Sequence, residues 1–405
     1  MLYQGFQAWT DLMAPFRTAA RMALKLHHRA GPLGEWPQPR YAAAALDVFA
    51  GARVTHRRPP FGIDRVTVGN ELVEVREEVA ASLPFCELLH FAKDDVLTPQ
   101  PKMLVVAPLS GHFATLLRGT VRTLLSDHDV YVTDWRNARH VPVGEGAFGF
   151  DDYVDYLIRF LEMIGPRAHV LAVCQPCVQT LAAVAVLAED ANPAQPRTMT
   201  LMGGPIDTRE APTAVNELAL SKPISWFEQQ LISAVPYPHE GHGRRVYPGF
   251  VQLSAFMSMN PERHVEQHRT LYELLAEGRA AEAQAIKDFY AEYFAVLDLT
   301  AEFYLETVER VFQQALLAKG ELDWRGRRVR PAAIQRTALL TVEGERDDIC
   351  AVGQTAAAHD LCTSLRPHLK RHHHQPGVGH YGLFAGRRWQ QQIYPQVRNL
   401  VLATS

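Results

Sequence analysis

A cysteine stands at the point where a buried strand would end and a helix would begin. Residues 169–173 form an apolar run that stops at Cys174, and residues 178–187 form a helical segment rich in small apolar residues. A strand, a sharp turn and a helix hold a side chain clear of a sheet, as a catalytic nucleophile requires. A cysteine at this turn predicts acyl transfer through a thioester.

Two residue types that activate a thiol follow later in the chain, each after its own predicted strand. Asp347 and Asp348 follow the apolar run at 337–342, and His380 follows a short strand near 369–373. An imidazole can take the thiol proton, and a carboxylate can then stabilise the imidazolium. A glycine three residues before Asp347 and an isoleucine two residues after it favour Asp347, and Asp348 stays the alternative.

The oxyanion that forms during acyl transfer needs two backbone N–H donors. We expect one from Gln175, directly after the cysteine, and the other from Leu109, in the loop after the predicted strand at 103–107. His112 in the same loop is the weaker candidate for a catalytic base, because His380 follows its own strand.

Other cysteine and histidine patterns compete with this interpretation. Cys174 and Cys177 form a C-x-x-C pair, which fits a redox pair or half of a zinc site. No second C-x-x-C follows, and Pro176 suits a helix start, so we favour a packed helix residue at Cys177. The histidines at 372–374 alternate between the faces of a predicted strand, and we expect no metal site.

Composition limits the classes of function. The 405 residues are 47% hydrophobic and 21% charged, which is typical of a soluble globular enzyme. The net charge of −3 gives no sign of a nucleic-acid partner. We find no secretory leader and no run of 18 apolar residues, so we expect no membrane span and a cytoplasmic location. The five cysteines fit reduced thiols.

Alternating strands and helices are predicted to position the reactive residues. A hairpin starts near residue 64, and further strands are predicted at 103–107, 129–133, 169–173, 198–202, 337–342 and 369–373. Helices between them indicate an α/β fold with a mostly parallel sheet flanked by helices. With the chain order cysteine, aspartate, histidine, this alternation predicts the α/β-hydrolase fold.

Two segments stand outside that alternation. Residues 1–60 are predicted to form an N-terminal helical arm, which either packs on the main domain or offers an amphipathic surface to a hydrophobic particle. Residues 206–330 are predicted to form a mainly helical cap, whose aromatic residues pack its own core or line an acyl groove. The core would then comprise residues 61–205 and 331–405.

Six short sequence boxes lie at residues 1–4, 108–112, 134–139, 173–176, 342–349 and 379–382. Together they closely resemble the intracellular polyhydroxyalkanoate (polyhydroxybutyrate) depolymerases. The resemblance extends over nearly the whole chain, and the cysteine box is its most specific part, although Ala172 and Pro176 replace the glycines that flank the nucleophile in many hydrolases.

The resemblance implies a triad of Cys174, Asp347 and His380 that cleaves short-chain polyester in storage granules. It implies no cofactor, with water or coenzyme A as the acyl acceptor, and it leaves a homodimer open. A polyhydroxyalkanoate synthase-like acyltransferase, a non-catalytic granule-associated protein and a soluble thioesterase are the alternatives. The Cys-Gln-Pro box favours the depolymerase over the synthase, and the intact set of three argues against a non-catalytic protein.

Overall fold

The computed structural model describes residues 2–29, 37–94, 96 and 99–404. In chain order its strands are β1 (Arg65–Val68), β2 (Glu71–Glu74), β3 (Arg76–Ser82), β4 (Cys86–Ala92), β5 (Lys102–Val106), β6 (Asp129–Trp135), β7 (His169–Val173), β8 (Thr198–Met202), β9 (Ser233–Ala234), β10 (Arg245–Tyr247), β11 (Leu299–Thr300), β12 (Asp323–Trp324), β13 (Arg327–Arg328), β14 (Ala338–Gly344) and β15 (Lys370–Gln375).

The α-helices are α1 (Leu2–Arg29), α2 (Pro37–Gly51), α3 (Arg118–Leu124), α4 (Phe150–Ile164), α5 (Cys177–Glu189), α6 (Ala214–Ser221), α7 (Ile224–Leu231), α8 (Gly249–Met259), α9 (Pro261–Glu277), α10 (Ala280–Tyr293), α11 (Ala301–Thr307), α12 (Ala358–Leu361), α13 (Gly386–Arg388) and α14 (Tyr394–Thr404). Short 3₁₀ and π turns extend several of them, including the 3₁₀ turn His380–Leu383.

Eight strands form the central sheet in the order β15-β14-β8-β7-β5-β6-β4-β3. All neighbours from β15 to β6 pair in parallel, and β4 pairs antiparallel with both β6 and β3. If these eight strands are renumbered 1 to 8 along the chain, their order in the sheet, read from the β3 edge, is 1-2-4-3-5-6-7-8. The predicted α/β-hydrolase fold is confirmed.

Burial on both faces explains why the middle strands are continuous apolar runs. All five residues of β7 and of β8 are buried, and helices cover the sheet on each side. Helix α4 buries an apolar stripe, whereas α5 buries every residue from 177 to 187. Small side chains dominate α5 because it packs closely on all sides.

The antiparallel edge of the sheet was missed by the sequence prediction. Strand β3 reads Arg-Glu-Glu-Val-Ala-Ala-Ser and is almost wholly exposed, so it lacks an apolar alternation. Its charged side chains suit an edge strand, where they discourage pairing with another chain. Strand β4, next to it, is largely buried because both of its sides are paired.

The long connection between the neighbouring strands β8 and β14 holds six helices and two small sheets. We call residues 206–330 the cap segment. Its helices α6 to α11 and the three-stranded sheet β11-β10-β9 lie between two strands of the central sheet in sequence. The prediction that this segment is mainly helical is confirmed by these elements.

Helices α1 and α2 form what we call the N-terminal hairpin. Helix α2 begins at Pro37, and a proline in the first turn of a helix removes only an N–H that lacks a helical partner. Within the part of the chain that the structure describes, no helix has the length and apolar character to cross a membrane.

A buried carboxylate fastens the hairpin to the rest of the molecule. Tyr3 is 1% exposed, and its hydroxyl donates to Oδ2 of Asp298 over 2.5 Å. The other oxygen of Asp298 accepts from the Gly249 amide at 2.8 Å, and the Asp298 amide donates to Oδ1 of Asn137 at 3.0 Å. The first turn of α1 is therefore tied to both the cap segment and the loop after β6.

Replacement of this hydroxyl should destabilise the protein measurably. In Tyr3→Phe, Oδ2 of the buried Asp298 loses its donor, and we expect the free energy of unfolding to fall by about 1–3 kcal/mol. Urea denaturation followed by circular dichroism measures the change. Tyr41→Phe is the matched control, because Tyr41 is 53% exposed, and it should unfold like the parent protein. Equal losses in both variants would contradict the anchoring role of Tyr3.

Candidate active site

The chain turns sharply at Cys174, between β7 and α5. Cys174 has a φ of +69°, in the left-handed region that non-glycine residues rarely occupy. Its amide donates to the Met202 carbonyl at 2.8 Å, and its carbonyl accepts from the Cys177 amide at 3.1 Å. The turn therefore has the geometry of a nucleophile elbow, although no glycine flanks it.

Close packing against the loop after β8 stabilises this turn. A Cβ on Gly204 would overlap the side chain of Cys177 and would lie 3.2 Å from the carbonyl oxygen of Cys174. Cys177 itself is fully buried, and its thiol faces the carbonyls of Ala172 and Met202 at 3.5 and 3.8 Å. The C-x-x-C pair is thus not a disulfide, and its second cysteine is packed as expected.

His380 lies between a carboxylate and the thiol of Cys174. Its Nδ1–H donates to Oδ2 of Asp347 over 2.7 Å, and Cys174 is a further hydrogen-bond partner of the same ring. Burial by itself lowers the pKa of His380, but the charges of Asp347 and Cys174 and their hydrogen bonds hold it well above its usual value. Asp347 and Cys174 therefore stabilise the protonated form of the ring against the effect of burial.

The two aspartates after β14 point to different partners. Oδ1 of Asp347 accepts from the amides of Ile349 and Cys350 at 2.9 and 2.8 Å, which orients its other oxygen toward His380. Asp348 is exposed and accepts from Nδ2 of Asn260 in the cap segment at 3.0 Å. The structure therefore brings Asp347, and not Asp348, to the histidine.

A second buried carboxylate supports the loop that carries Asp347. Glu343 is 1% exposed and accepts three backbone N–H bonds, from Gly353 at 2.9 Å and from Thr355 and Ala356 at 2.8 Å each. These bonds fold residues 353–356 back onto the end of β14. The acidic loop is thereby held in one conformation.

Of the two expected oxyanion donors, Gln175 directly follows the cysteine, and Leu109 lies in the loop after β5, the strand that pairs with β7. The amides of Gln175 and Leu109 donate to no other protein group among the described residues, so both remain available. The loop that carries Leu109 is held at Ala107, whose carbonyl accepts from Trp135 Nε1 at 2.8 Å and from the Tyr153 hydroxyl at 3.1 Å.

His112 has a structural partner and does not reach the cysteine. Its Nε2 donates to the carbonyl of Tyr293 at 3.1 Å, and its ring stacks on Phe256. Burial lowers the pKa of His112 to about 4, so this imidazole stays neutral. It joins the loop after β5 to the cap segment.

The remaining cysteines are poor nucleophiles. Cys86, Cys177, Cys350 and Cys362 are buried, and burial raises the pKa of each thiol, that of Cys362 to about 12. Cys174 alone among the five is half-buried. Exposure to solvent thus distinguishes the thiol of Cys174 from the other four. Among the described residues, no group of three or more His, Cys, Asp or Glu side chains is placed to hold a metal ion.

A cavity of about 540 Å³ opens beside His380, between the loop that carries this histidine and helices α8 to α10. Cys174 does not line this cavity. Of Cys174, Asp347 and His380, it is His380 that faces the cavity. An aromatic wall suits an acyl chain, and cationic side chains suit a carboxylate or phosphate. The lining includes the aromatic residues Phe256, Phe289, Tyr290, Tyr293 and Tyr381 and the basic residues Arg263, His264 and Arg346.

Residues 203–405, half of the chain, match the family model described as the C-terminus of PHB depolymerase. The chain belongs to the polyhydroxybutyrate depolymerase family. The match covers the cap segment and the strands that carry Asp347 and His380. The protein is a carboxylic ester hydrolase. No curated protein matches the chain.

Solved structures resemble this chain only distantly. A putative lipase from Acinetobacter baumannii has a TM-score of 0.42 and 14% identity, and the alignment covers 82% of this chain and 93% of that one. A 2-hydroxy-6-oxo-6-phenylhexa-2,4-dienoate hydrolase from a Rhodococcus species has a TM-score of 0.42, 11% identity and coverages of 81% and 99%. A monoacylglycerol lipase from Paleococcus ferrophilus has a TM-score of 0.41, 12% identity and coverages of 76% and 97%. The fold assignment therefore depends on the strand order.

Sequence reasoning missed several residues around the candidate active site. Arg263 and Arg346 line the cavity but lie far apart in the chain, so no spacing could connect them. Gly203 has a φ of +56°, and a Cβ there would lie 3.2 Å from Cε1 of His380 and 3.3 Å from Oδ2 of Asp347. The Gly-Gly pair after β8 was an available signal for this close approach.

Crowding of the elbow can be tested at Gly204. In Gly204→Ala the added methyl group has no room beside Cys177, so we expect a loss of about 1–3 kcal/mol in the free energy of unfolding. Displacement of the elbow should also lower ester hydrolysis. Gly119→Ala is the control, because its Cβ meets nothing within 4 Å and the helix gains propensity. An unchanged urea midpoint for Gly204→Ala would contradict the crowded geometry.

Asp347→Asn should change the pH dependence of ester hydrolysis. Loss of the carboxylate removes the charge that raises the pKa of His380, so the imidazolium loses its proton at lower pH. The alkaline limb of kcat/KM should therefore move to lower pH, and kcat should fall by roughly 10²–10⁴. Asp348→Asn is the control and should leave the profile in place. Equal shifts in the two variants would refute the assignment of Asp347.

Proposed function

We propose that this depolymerase cleaves the ester bonds of short-chain, poly-3-hydroxybutyrate-type polyhydroxyalkanoates through a cysteinyl thioester. Cys174 is the nucleophile, His380 is the general base and acid, and Asp347 orients and stabilises the imidazolium. The amides of Gln175 and Leu109 form the oxyanion hole. The observation that supports this most is the ring of His380, which bonds Asp347 on one side and Cys174 on the other.

The first half of the reaction forms the acyl-enzyme. The thiol proton of Cys174 moves to the imidazole, and the thiolate attacks an ester carbonyl of the polymer. The negative charge on the carbonyl oxygen is stabilised by the two backbone amides. When the tetrahedral intermediate collapses, the C–O bond breaks, and His380 gives its proton to the leaving alkoxide. A 3-hydroxyacyl thioester and a polymer chain with a free hydroxyl result.

The second half transfers the acyl group to an acceptor. His380 removes a proton from water or from the thiol of coenzyme A, and the acceptor attacks the thioester. Collapse of this intermediate breaks the C–S bond, and the proton returns to the sulfur of Cys174. Water gives a 3-hydroxy acid or oligomer, whereas coenzyme A gives its hydroxyacyl thioester. The enzyme needs no bound cofactor for either route.

The substrate assigned here is a solid storage polymer, so we place the enzyme in the cytoplasm at polyhydroxyalkanoate granules. Support comes from the family match over residues 203–405 and from the aromatic cavity beside His380. Such a cavity accommodates the short methyl-bearing repeat of the polymer, while its arginines offer partners for the carboxylate at a chain end.

Substitution of the sulfur gives the decisive test. Cys174→Ala should abolish turnover of native amorphous granules, and Cys174→Ser should retain less than roughly 1%, because a hydroxyl is far harder to deprotonate than a thiol. Liquid chromatography with mass detection identifies the products, with and without coenzyme A. Cys362→Ala is the control, since Cys362 is buried away from the cavity, and it should keep full activity.

Two results would overturn this proposal. Unchanged turnover by Cys174→Ala would exclude the thioester route. Release of free coenzyme A from hydroxybutyryl-coenzyme A, with growth of the polymer, would indicate a synthase-like acyltransferase instead.

A further inference from the structure

The N-terminal hairpin carries a concentration of exposed apolar side chains. Eight of the nineteen large hydrophobic residues that are exposed in the described part of the chain lie in α1 or α2. These two helices make up only about a tenth of the protein. The other exposed hydrophobic residues are scattered, as on an ordinary surface, so the hairpin requires its own explanation.

One side of α1 accounts for most of this exposure. Trp9, Leu12 and Phe16 follow the i, i+3, i+7 spacing of one helix face, and each is 58–59% exposed. Met22 and Leu26 extend the apolar side toward the end of the helix. The start of α1 is fastened inward through the bond from Tyr3 to Asp298 and the stacking of Phe6 on Phe250. Further along the helix, Nη2 of Arg17 donates to the Ala52 carbonyl at 3.1 Å.

An apolar groove continues this face onto α2. The groove has a volume of about 510 Å³, and its walls are almost wholly hydrocarbon or aromatic. It is lined by Met13, Phe16, Ala19, Ala20, Ala23, Leu46 and Phe49. The two helices thus present a single apolar surface, which we call the hairpin face.

Cationic side chains flank the hairpin face. Arg17, Arg21 and Lys25 recur every fourth residue along a different side of α1, and Asp11 is the helix's one acidic residue. The chain as a whole carries a net charge of −3, so this positive segment departs from the rest of the protein. Apolar side chains beside Lys and Arg are the pattern of helices that lie on an apolar phase with anionic groups at its surface.

The N-terminal hairpin packs on two of the helices that form the wall of the cavity. Helix α2 packs on α9 through Val48 against Leu271 and Leu274, and Asp47 accepts from Nζ of Lys287 at 2.9 Å. Helices α9 and α10 also form the wall of the cavity beside His380. A solid held on the hairpin face would therefore lie beside the cap helices that enclose the cavity.

We infer that the hairpin face is the surface by which the enzyme docks on amorphous short-chain polyester. This inference rests on the proposed function, because it takes the solid polymer as the substrate. The ester-rich apolar bulk of the polymer meets the aromatic and aliphatic side chains. Its terminal carboxylates, which are exposed at the particle surface, pair with Arg21 and Lys25.

The charge favours this occupant over a second copy of the chain. Two hairpin faces pressed together would bring their arginine and lysine residues close to one another, which costs free energy unless anions intervene. A polyester surface instead supplies carboxylates. A phospholipid layer is the other anionic apolar phase, and the experiment separates it from the polymer.

The test measures binding separately from chemistry. Trp9→Gln, Leu12→Gln and Phe16→Gln are combined in a Cys174→Ala background, and partitioning onto amorphous poly(3-hydroxybutyrate) particles made without lipid or protein is followed by sedimentation. We expect binding about 100-fold weaker, because three large side chains no longer leave water. With Cys174 intact, the triple variant should lose polymer hydrolysis but cleave a soluble 3-hydroxybutyrate trimer at the parent rate.

A matched control removes equal apolar character elsewhere. Leu218→Gln, Leu220→Gln and Leu402→Gln change residues that are 53–64% exposed and lie outside the hairpin, and they should leave binding unchanged. The proposed function is tested independently by Cys174→Ala, which should bind polymer normally yet fail to cleave the trimer.

Three results would overturn the inference. The first is that the triple variant of the hairpin binds the particles as well as the parent protein does. The second is that the parent protein is a dimer in solution and the triple variant is a monomer, which would assign the face to a second copy of the chain. The third is that the parent protein binds phosphatidylglycerol vesicles but not bare polymer, which would assign the face to lipid.

Discussion

The left-handed backbone at Cys174 is the constraint on which the site depends. A non-glycine residue in this conformation costs about 1–2 kcal/mol, so the surroundings must impose it. Strand β7 and helix α5 are buried along their lengths, and the loop at Gly204 packs directly against Cys177. Movement of the cysteine out of the turn would require this packed layer to open.

A series of buried hydrogen bonds positions Asp347 and His380, the other two residues of the site. Glu343 gathers the amides of residues 353–356, and the amides after Asp347 orient its carboxylate toward His380. Because these groups are buried, the charges of Asp347 and Cys174 act on the imidazole with little screening by water. Packing thus accounts both for the position of His380 and for its raised pKa.

Under the proposed function, the cap segment and the N-terminal hairpin would adapt this core to a substrate that is not in solution. The cap supplies an aromatic and cationic wall beside His380, and the hairpin packs on the same helix α9. Tyr3 and Asp298 connect the hairpin to Asn137 in the loop after β6. Trp135, at the end of β6, bonds the Ala107 carbonyl just before the loop that carries Leu109. The proposed docking surface and the candidate active site are therefore joined by packed, hydrogen-bonded elements.

The sequence by itself determined the parallel sheet and the order of cysteine, aspartate and histidine, because buried strands are continuous apolar runs and each reactive residue follows one. Only the tertiary structure decided between Asp347 and Asp348, since both follow β14 and only the orientation of one reaches His380. The charged edge strand β3 and the cavity wall from Arg263 to Arg346 were also beyond the sequence. The hydrophobic pattern of a segment reports which of its own residues are buried. Which residues of distant segments come into contact depends on tertiary packing.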